Sequence, residues 1–189
     1  MEQPGERAPA PGSLLLVQDL ANTVDLESAE DQLRTPADLD AWVRRHALPP
    51  LTFDADDLAA ALLLREALRD ACQAHTGTRL PDAAASKLEQ LLGAAPLMLA
   101  IDAEGGAAVR PTDGLTGTAA LTAHIAAGIA AAVTDNTWPR LKACAAHDCR
   151  WVYYDRSPAG RSRWCTMSIC GSRAKMRAYR SRTSQPGSG

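Results

Sequence analysis

Four cysteines in two matched pairs are the residues of this sequence whose types and spacing could do chemistry. Cys144 and Cys149 are separated by four residues, fifteen residues follow, and Cys165 and Cys170 repeat the same gap. Two close pairs joined by a hairpin-sized span suit a tetrahedral zinc ion (Zn2+), because each pair offers two thiolates from one turn and the intervening segment folds back to unite them. Buried thiols or two disulfides are the plainer readings, and a reducing compartment favours the metal over the disulfides. His147 lies inside the first pair and could replace one sulfur; four cysteines already complete the tetrahedron, which leaves it as a surface residue.

Charge singles out the same stretch. Arg140 to Arg182 holds eleven of the twenty Lys and Arg residues against Asp148 and Asp155, a net of +9. The remainder then carries −11, since the whole chain is at −2. A basic face of this density is the footprint of a protein that contacts phosphates, although the acidic remainder could also attract it at short range.

These residues need elements to position them. With 189 residues the chain has room for one domain of about 100 to 150 residues plus a small module. Abundant Ala and Leu and a single Phe favour helix over sheet. The expected class is mainly α (α+β): a helical N-terminal body with a short β-hairpin, then a C-terminal zinc module of β-hairpin and helix. Residues 1–13 read as a disordered leader without the apolar core of a signal peptide, 14–137 as the body, 138–183 as the module and 184–189 as a disordered tail. A cytoplasmic protein is expected. Gly114 to Thr134 carries no formal charge, but Leu121, Ile125, Ile129 and Val133 recur every fourth residue as one buried stripe, so it reads as a soluble helix and not a membrane span.

Within the body, Leu14 to Val17 lead into a turn in which Asn22 and Asp25 can bond nearby backbone. Thr35 caps a helix with Pro36 at its first position and Asp38 three residues on, burying Leu39, Trp42 and Val43. Asp54 to His75 forms the longest helix, with Leu64, Leu68 and Cys72 on the buried line and Arg65, Glu66, Arg69 and Asp70 on a solvated face. A helix over Pro81 to Leu92 ends at Gly93. Leu97 to Ile101 and Ala107 to Pro111 pair across a glycine turn. A helix from Leu115 to Thr134 follows, broken by Asp135 to Pro139. The body histidines, His46, His75 and His124, stand in no HExxH, GxSxG or paired-carboxylate pattern, so no catalytic residue is assigned and no enzyme is expected.

In the module, Arg150 to Tyr154 alternates two faces of a strand, Trp151 and Tyr153 on one and Val152 and Tyr154 on the other. These aromatics are expected to be a small core and not stacking platforms. Asp155 to Gly160 turns the chain back. After Cys170 the residues are helix formers, with Arg173, Arg177 and Arg180 as an outward stripe and Met176 and Tyr179 inward. Gly171 would let backbone approach the metal site.

The segments Cys144-x4-Cys149-Arg150-Trp151-Val152-Tyr153-Tyr154-Asp155 and Arg161 to Lys175, including Cys165-x4-Cys170-Gly171-Ser172-Arg173, resemble the CGNR zinc finger, named for its Cys-Gly-Asn-Arg tetrad. Leu14 to Asp25, with Asn22-Thr23, and Asp38-Leu39-Asp40-Ala41-Trp42 resemble the ABATE domain that accompanies this finger in bacterial stress-induced transcription regulators. The resemblance implies that Cys144, Cys149, Cys165 and Cys170 bind zinc and that the residues after Cys170 approach DNA. Ser172 stands where the tetrad has Asn: it can cap the helix in the same way, but it bears on sequence preference if that Asn reads a base.

On that footing Arg173, Lys175, Arg177, Arg180 and Arg182 contact phosphates, Arg173 and Arg177 reach guanine edges, and Arg161 and Arg163 add to the nucleic-acid surface. One small module leaves a small footprint, so a homodimer through the body, or a second DNA contact, would be needed for specificity; the body could equally hold a small-molecule effector. A zinc-stabilised RNA- or protein-interaction module and a thiol/zinc redox sensor are the alternatives.

Overall fold

The computed structural model describes residues 7–183, with side chains as far as Ser181. The first six residues of the expected leader and the tail from 184 lie outside the described residues. Residues 7–13 are not a loose leader: Ala10 is buried, and Pro11 leads directly into helix α1, Gly12–Ala21. The Ala10 N–H donates to the buried Gln18 side chain at 2.7 Å, which turns the chain onto the helix.

A two-residue ladder missed by pattern reading, β1 (Val24–Asp25) with β2 (Glu30–Asp31), follows α1. Its strands are too short to show alternation. Helix α2 (Pro36–Arg45) starts at Thr35, with a capping box in which Thr35 and Asp38 satisfy each other's backbone N–H. Helix α3 (Ala55–Ala74) starts at Asp54 in the same way with Asp57. Next come α4 (Asp82–Gly93), the antiparallel hairpin β3 (Leu97–Ile101) with β4 (Ala107–Pro111), and α5 (Gly117–Thr134).

The helical core gathers Leu14, Val17 and Leu20 of α1, Leu39 and Trp42 of α2, Leu64, Leu68 and Cys72 of α3, and Leu121 and Ile125 of α5. Helices α1 and α5 pack so closely that a Cβ on Gly128 would lie 2.2 Å from the Ser13 carbonyl oxygen. Helix α5 is long and apolar enough to cross a membrane by composition alone, but half of it is buried in this core.

The charged residues of α3 depart from expectation. Arg65 and Arg69 are buried, at 6% and 0% exposure, and do not form a solvated face. Neighbouring groups meet them: Arg65 bonds Asp31, Glu66 and the Thr23 hydroxyl, while Arg69 bonds Glu66 and donates to the carbonyls of Ala21 and Arg150. Burying a guanidinium is tolerable only when its donors find acceptors in this way.

After a 3-10 turn at Trp138–Arg140, strand β5 (Leu141–Ala143) pairs antiparallel with β6 (Val152–Tyr154). Alternation along this hairpin divides two cores. Leu141, Ala143, Val152 and Tyr154 face the helices, whereas Trp151 and Tyr153 face the cysteines. The last described elements are a π-turn at Met167–Gly171 and the helix α6 it runs into, Ser172–Thr183.

Candidate metal centre and basic helix

Each cysteine pair sits on a tight knuckle. In the first, the N–H groups of Cys149 and Arg150 both return to the Ala146 carbonyl, and Arg150 takes a left-handed φ of +48°. The second knuckle closes through the Gly171 N–H to the Thr166 carbonyl at 3.0 Å. The Ala145 N–H donates to the Arg163 carbonyl at 2.8 Å and ties the knuckles together. The glycine is used: a Cβ on Gly171 would stand 2.5 Å from the Met167 sulfur and 3.3 Å from the Trp164 ring.

The four sulfurs converge. Their Sγ atoms all lie within 4.8 Å of one another, with Cys149 and Cys165 at 3.6 Å and Cys165 and Cys170 at 3.7 Å. Sulfurs bound to zinc at about 2.3 Å stand about 3.8 Å apart at the corners of a regular tetrahedron. A disulfide needs about 2.05 Å. Spacing, burial and softness of the donors therefore all suit zinc. The thiols also act on each other: hydrogen bonds from Cys149 and Cys165 hold Cys144 well below its ordinary value, and the same bonds push Cys149 and Cys165 up.

Trp151 and Tyr153 floor the cluster, as expected of a small core, and the Tyr153 hydroxyl donates to the Ser162 carbonyl at 2.8 Å. Beside it, the buried Lys142 and Asp155 pair at 2.9 Å, and the Asp155 carboxylate also accepts from the Ser157 and Ser162 N–H groups. His147 is exposed, consistent with a surface role.

Several residues that hold the knuckles lie outside the module, where motif reading did not look. The Arg7 guanidinium donates to the Cys165 and Trp164 carbonyls and lies 4.6 Å from the Tyr153 ring centre. Asp70 of α3 pairs with Arg150, while Arg69 takes its carbonyl. Asn22, expected to cap a local turn, instead bonds the backbone of Val152. Its residue type signalled backbone bonding; the identity of the partner, 130 positions away, is tertiary information.

The expected basic residues divide. Arg173, Arg177 and Arg180 line one shallow groove together with Ser168, Ile169, Ser172 and Met176. Lys175 is exposed on α6 but does not line the groove. Arg161 and Arg163 are exposed on the returning limb, with Arg163 over the Trp164 ring at 5.8 Å. The Arg182 side chain lies outside the described residues. Arg173 Nη1 meets Glu27 Oε1 of the β1–β2 turn at 2.7 Å. Met176 and Tyr179 are 53% and 59% exposed and not inward-facing: α6 packs mainly on the π-turn before it, which offers no floor for that side. The Ser172 hydroxyl donates back to the Met167 carbonyl at 3.1 Å.

A helical body sharing a hairpin with a four-thiol double knuckle, from which a basic helix projects, defines a zinc-finger class of protein. Residues 140–183 match the CGNR zinc finger. Residues 15–136 match ABATE, described as "Putative stress-induced transcription regulator", and because this match spans more than half of the sequence the chain belongs to that family. No curated protein matches the chain.

Proposed function

We propose that the chain is a DNA-binding transcription regulator in which Cys144, Cys149, Cys165 and Cys170 hold one structural zinc ion and thereby present α6 to duplex DNA. It acts by binding and not by catalysis. The observation that carries this reading is α6 itself: Arg173, Lys175, Arg177, Arg180 and Arg182 without a single acidic residue, rooted on a cluster of zinc dimensions. Zinc supplies a fixed tetrahedral node; the protein's part is to hold the two knuckles at the spacing that starts the helix. A twelve-residue helix is marginal in water on its own, so its root matters.

Metal content and duplex binding across a salt series test this. One zinc per chain is expected, with affinity falling steeply as salt rises. Replacing Arg173 and Arg177 by Ala reduces the magnitude of the log-log salt slope by about 2, since each phosphate contact contributes about 0.9. Zinc-loaded protein that fails to hold duplex DNA at low salt overturns the reading.

A further inference from the structure

Helix α6 is exposed nearly all round: from Ser172 to Ser181 every residue except Ala174 is exposed. The surface of the helix is not uniformly polar. Met167, Ile169, Met176 and Tyr179 are four of the ten exposed large hydrophobic residues among the described residues, gathered within thirteen positions. Phosphate neutralisation alone needs none of them. Ile169 and Met176 line the same groove as Arg173, Arg177 and Arg180, so apolar and cationic groups are interleaved on one face. Lys175, about 160° from Arg177 around the helix on the far flank, gives that side a cation too.

A B-form major groove, about 12 Å wide, admits a helix of about 10 to 12 Å diameter and presents phosphates along both walls. The apolar feature on its floor is the 5-methyl group of thymine, which aliphatic side chains recognise. Resting on the DNA-binding reading above, we propose that α6 and the π-turn form a major-groove reading surface in which Ile169 and Met176 contact thymine methyl groups between the phosphate contacts of the flanking cations. The ligand is thus thymine-containing duplex DNA, chosen by methyl contacts as well as by guanine edges.

Selection of a random-sequence duplex pool on the zinc-loaded full chain, followed by resynthesis of the winning duplexes with deoxyuridine in place of thymidine, tests it. Uracil removes the methyl group and leaves every hydrogen-bonding edge intact. Loss of about threefold to tenfold in affinity is expected per contacted methyl. The Ile169→Ala/Met176→Ala variant, whose truncations fall on exposed side chains, should keep its zinc and its salt slope but bind the two duplexes alike. Equal binding of both duplexes by the unaltered protein overturns the methyl reading while leaving DNA binding intact. Capture of RNA alone, or of no nucleic acid, overturns both.

Discussion

The side-chain amide of Asn22 pairs with the backbone of Val152 as a neighbouring strand would: its Nδ2 donates to the Val152 carbonyl at 2.7 Å, and its Oδ1 accepts from the Val152 N–H at 2.8 Å. Gln18 donates to the same carbonyl at 3.2 Å. All of these groups are buried, so removing the amide orphans the Val152 N–H away from water and leaves the carbonyl to Gln18 alone. Asn22→Ala is expected to lower the unfolding free energy by about 1 to 3 kcal/mol. Asn22→Asp, which loses the donor, should fail to restore it. Chemical denaturation of the zinc-loaded protein checks both.

Arg69 joins α3, the end of α1 and the first knuckle through one fully buried guanidinium. Three directions of donation exceed what a single ammonium can supply with the same geometry. Arg69→Lys is therefore expected to destabilise almost as much as Arg69→Met, by about 2 to 3 kcal/mol. Zinc competition with a chromophoric chelator should show weaker metal retention in both variants, because the Arg150 carbonyl loses its support. Unchanged zinc retention with lowered stability would confine Arg69 to the body.

Burial lowers the pKa of His46, His75 and His124. Protonation of each is easier in the unfolded chain, so the unfolded state binds more protons. Stability should fall as pH drops below the ordinary histidine value of about 6.5 towards the lower folded values. His75, whose Nδ1 lies 2.7 Å from the Leu141 carbonyl, sits at the foot of the shared hairpin. In denaturation at pH 7.5 and 5.5, His75→Gln should shrink the difference between the two pH values.

The five thiols should differ in reactivity. Cys72 is fully buried in the helical core, and that burial pushes its thiol up to about 12. Cys149, only half-buried, has Cys165 at 3.6 Å. With zinc bound and holding them as thiolates, Cys149 and Cys165 should be oxidised by peroxide to a disulfide, with peroxide reduced to water and zinc released, while the buried Cys72 stays unmodified. Peptide mapping after peroxide, unfolding and alkylation reads this directly: Cys72 should be alkylated while Cys149 and Cys165 are blocked, and an oxidised Cys72 beside an alkylated Cys149 contradicts it.

On the proposed DNA-binding reading, Glu27, which pairs with Arg173, would compete with phosphate for it. The pair is exposed on both sides, so its strength is modest. Glu27→Gln should tighten duplex binding by about twofold to fivefold at low salt, and the gain should vanish in an Arg173→Ala background.

Where a residue's neighbours in sequence decide its state, reading the sequence succeeded. Thr35 and Asp54 cap their helices locally, the Gly105-Gly106 turn sets the β3–β4 register, and strand alternation sorts Trp151 and Tyr153 from Val152 and Tyr154. The convergence of the four cysteines was equally legible, because two equal gaps across a hairpin leave few other geometries. Errors fell where the deciding partner is distant. Arg65 and Arg69 look like a solvated face until Asp31 and the Ala21 and Arg150 carbonyls arrive. Arg7 looks like leader until the Trp164 and Cys165 carbonyls give it acceptors. Met176 and Tyr179 failed in the opposite sense: helical periodicity assigns an inner face, but both side chains stay more than half exposed.

The two-faced strand β6 bears on how such a protein can be inherited. Cut free at the Asp135–Pro139 break, the finger would carry with it a bare apolar wall of Leu141, Ala143, Val152 and Tyr154, and the helices would keep the matching hollow. Grafted onto another carrier it would be insoluble or misfolded unless that carrier reproduced the hollow. The shared wall thus couples the two halves, and a gene encoding either half alone would need a new covering for it.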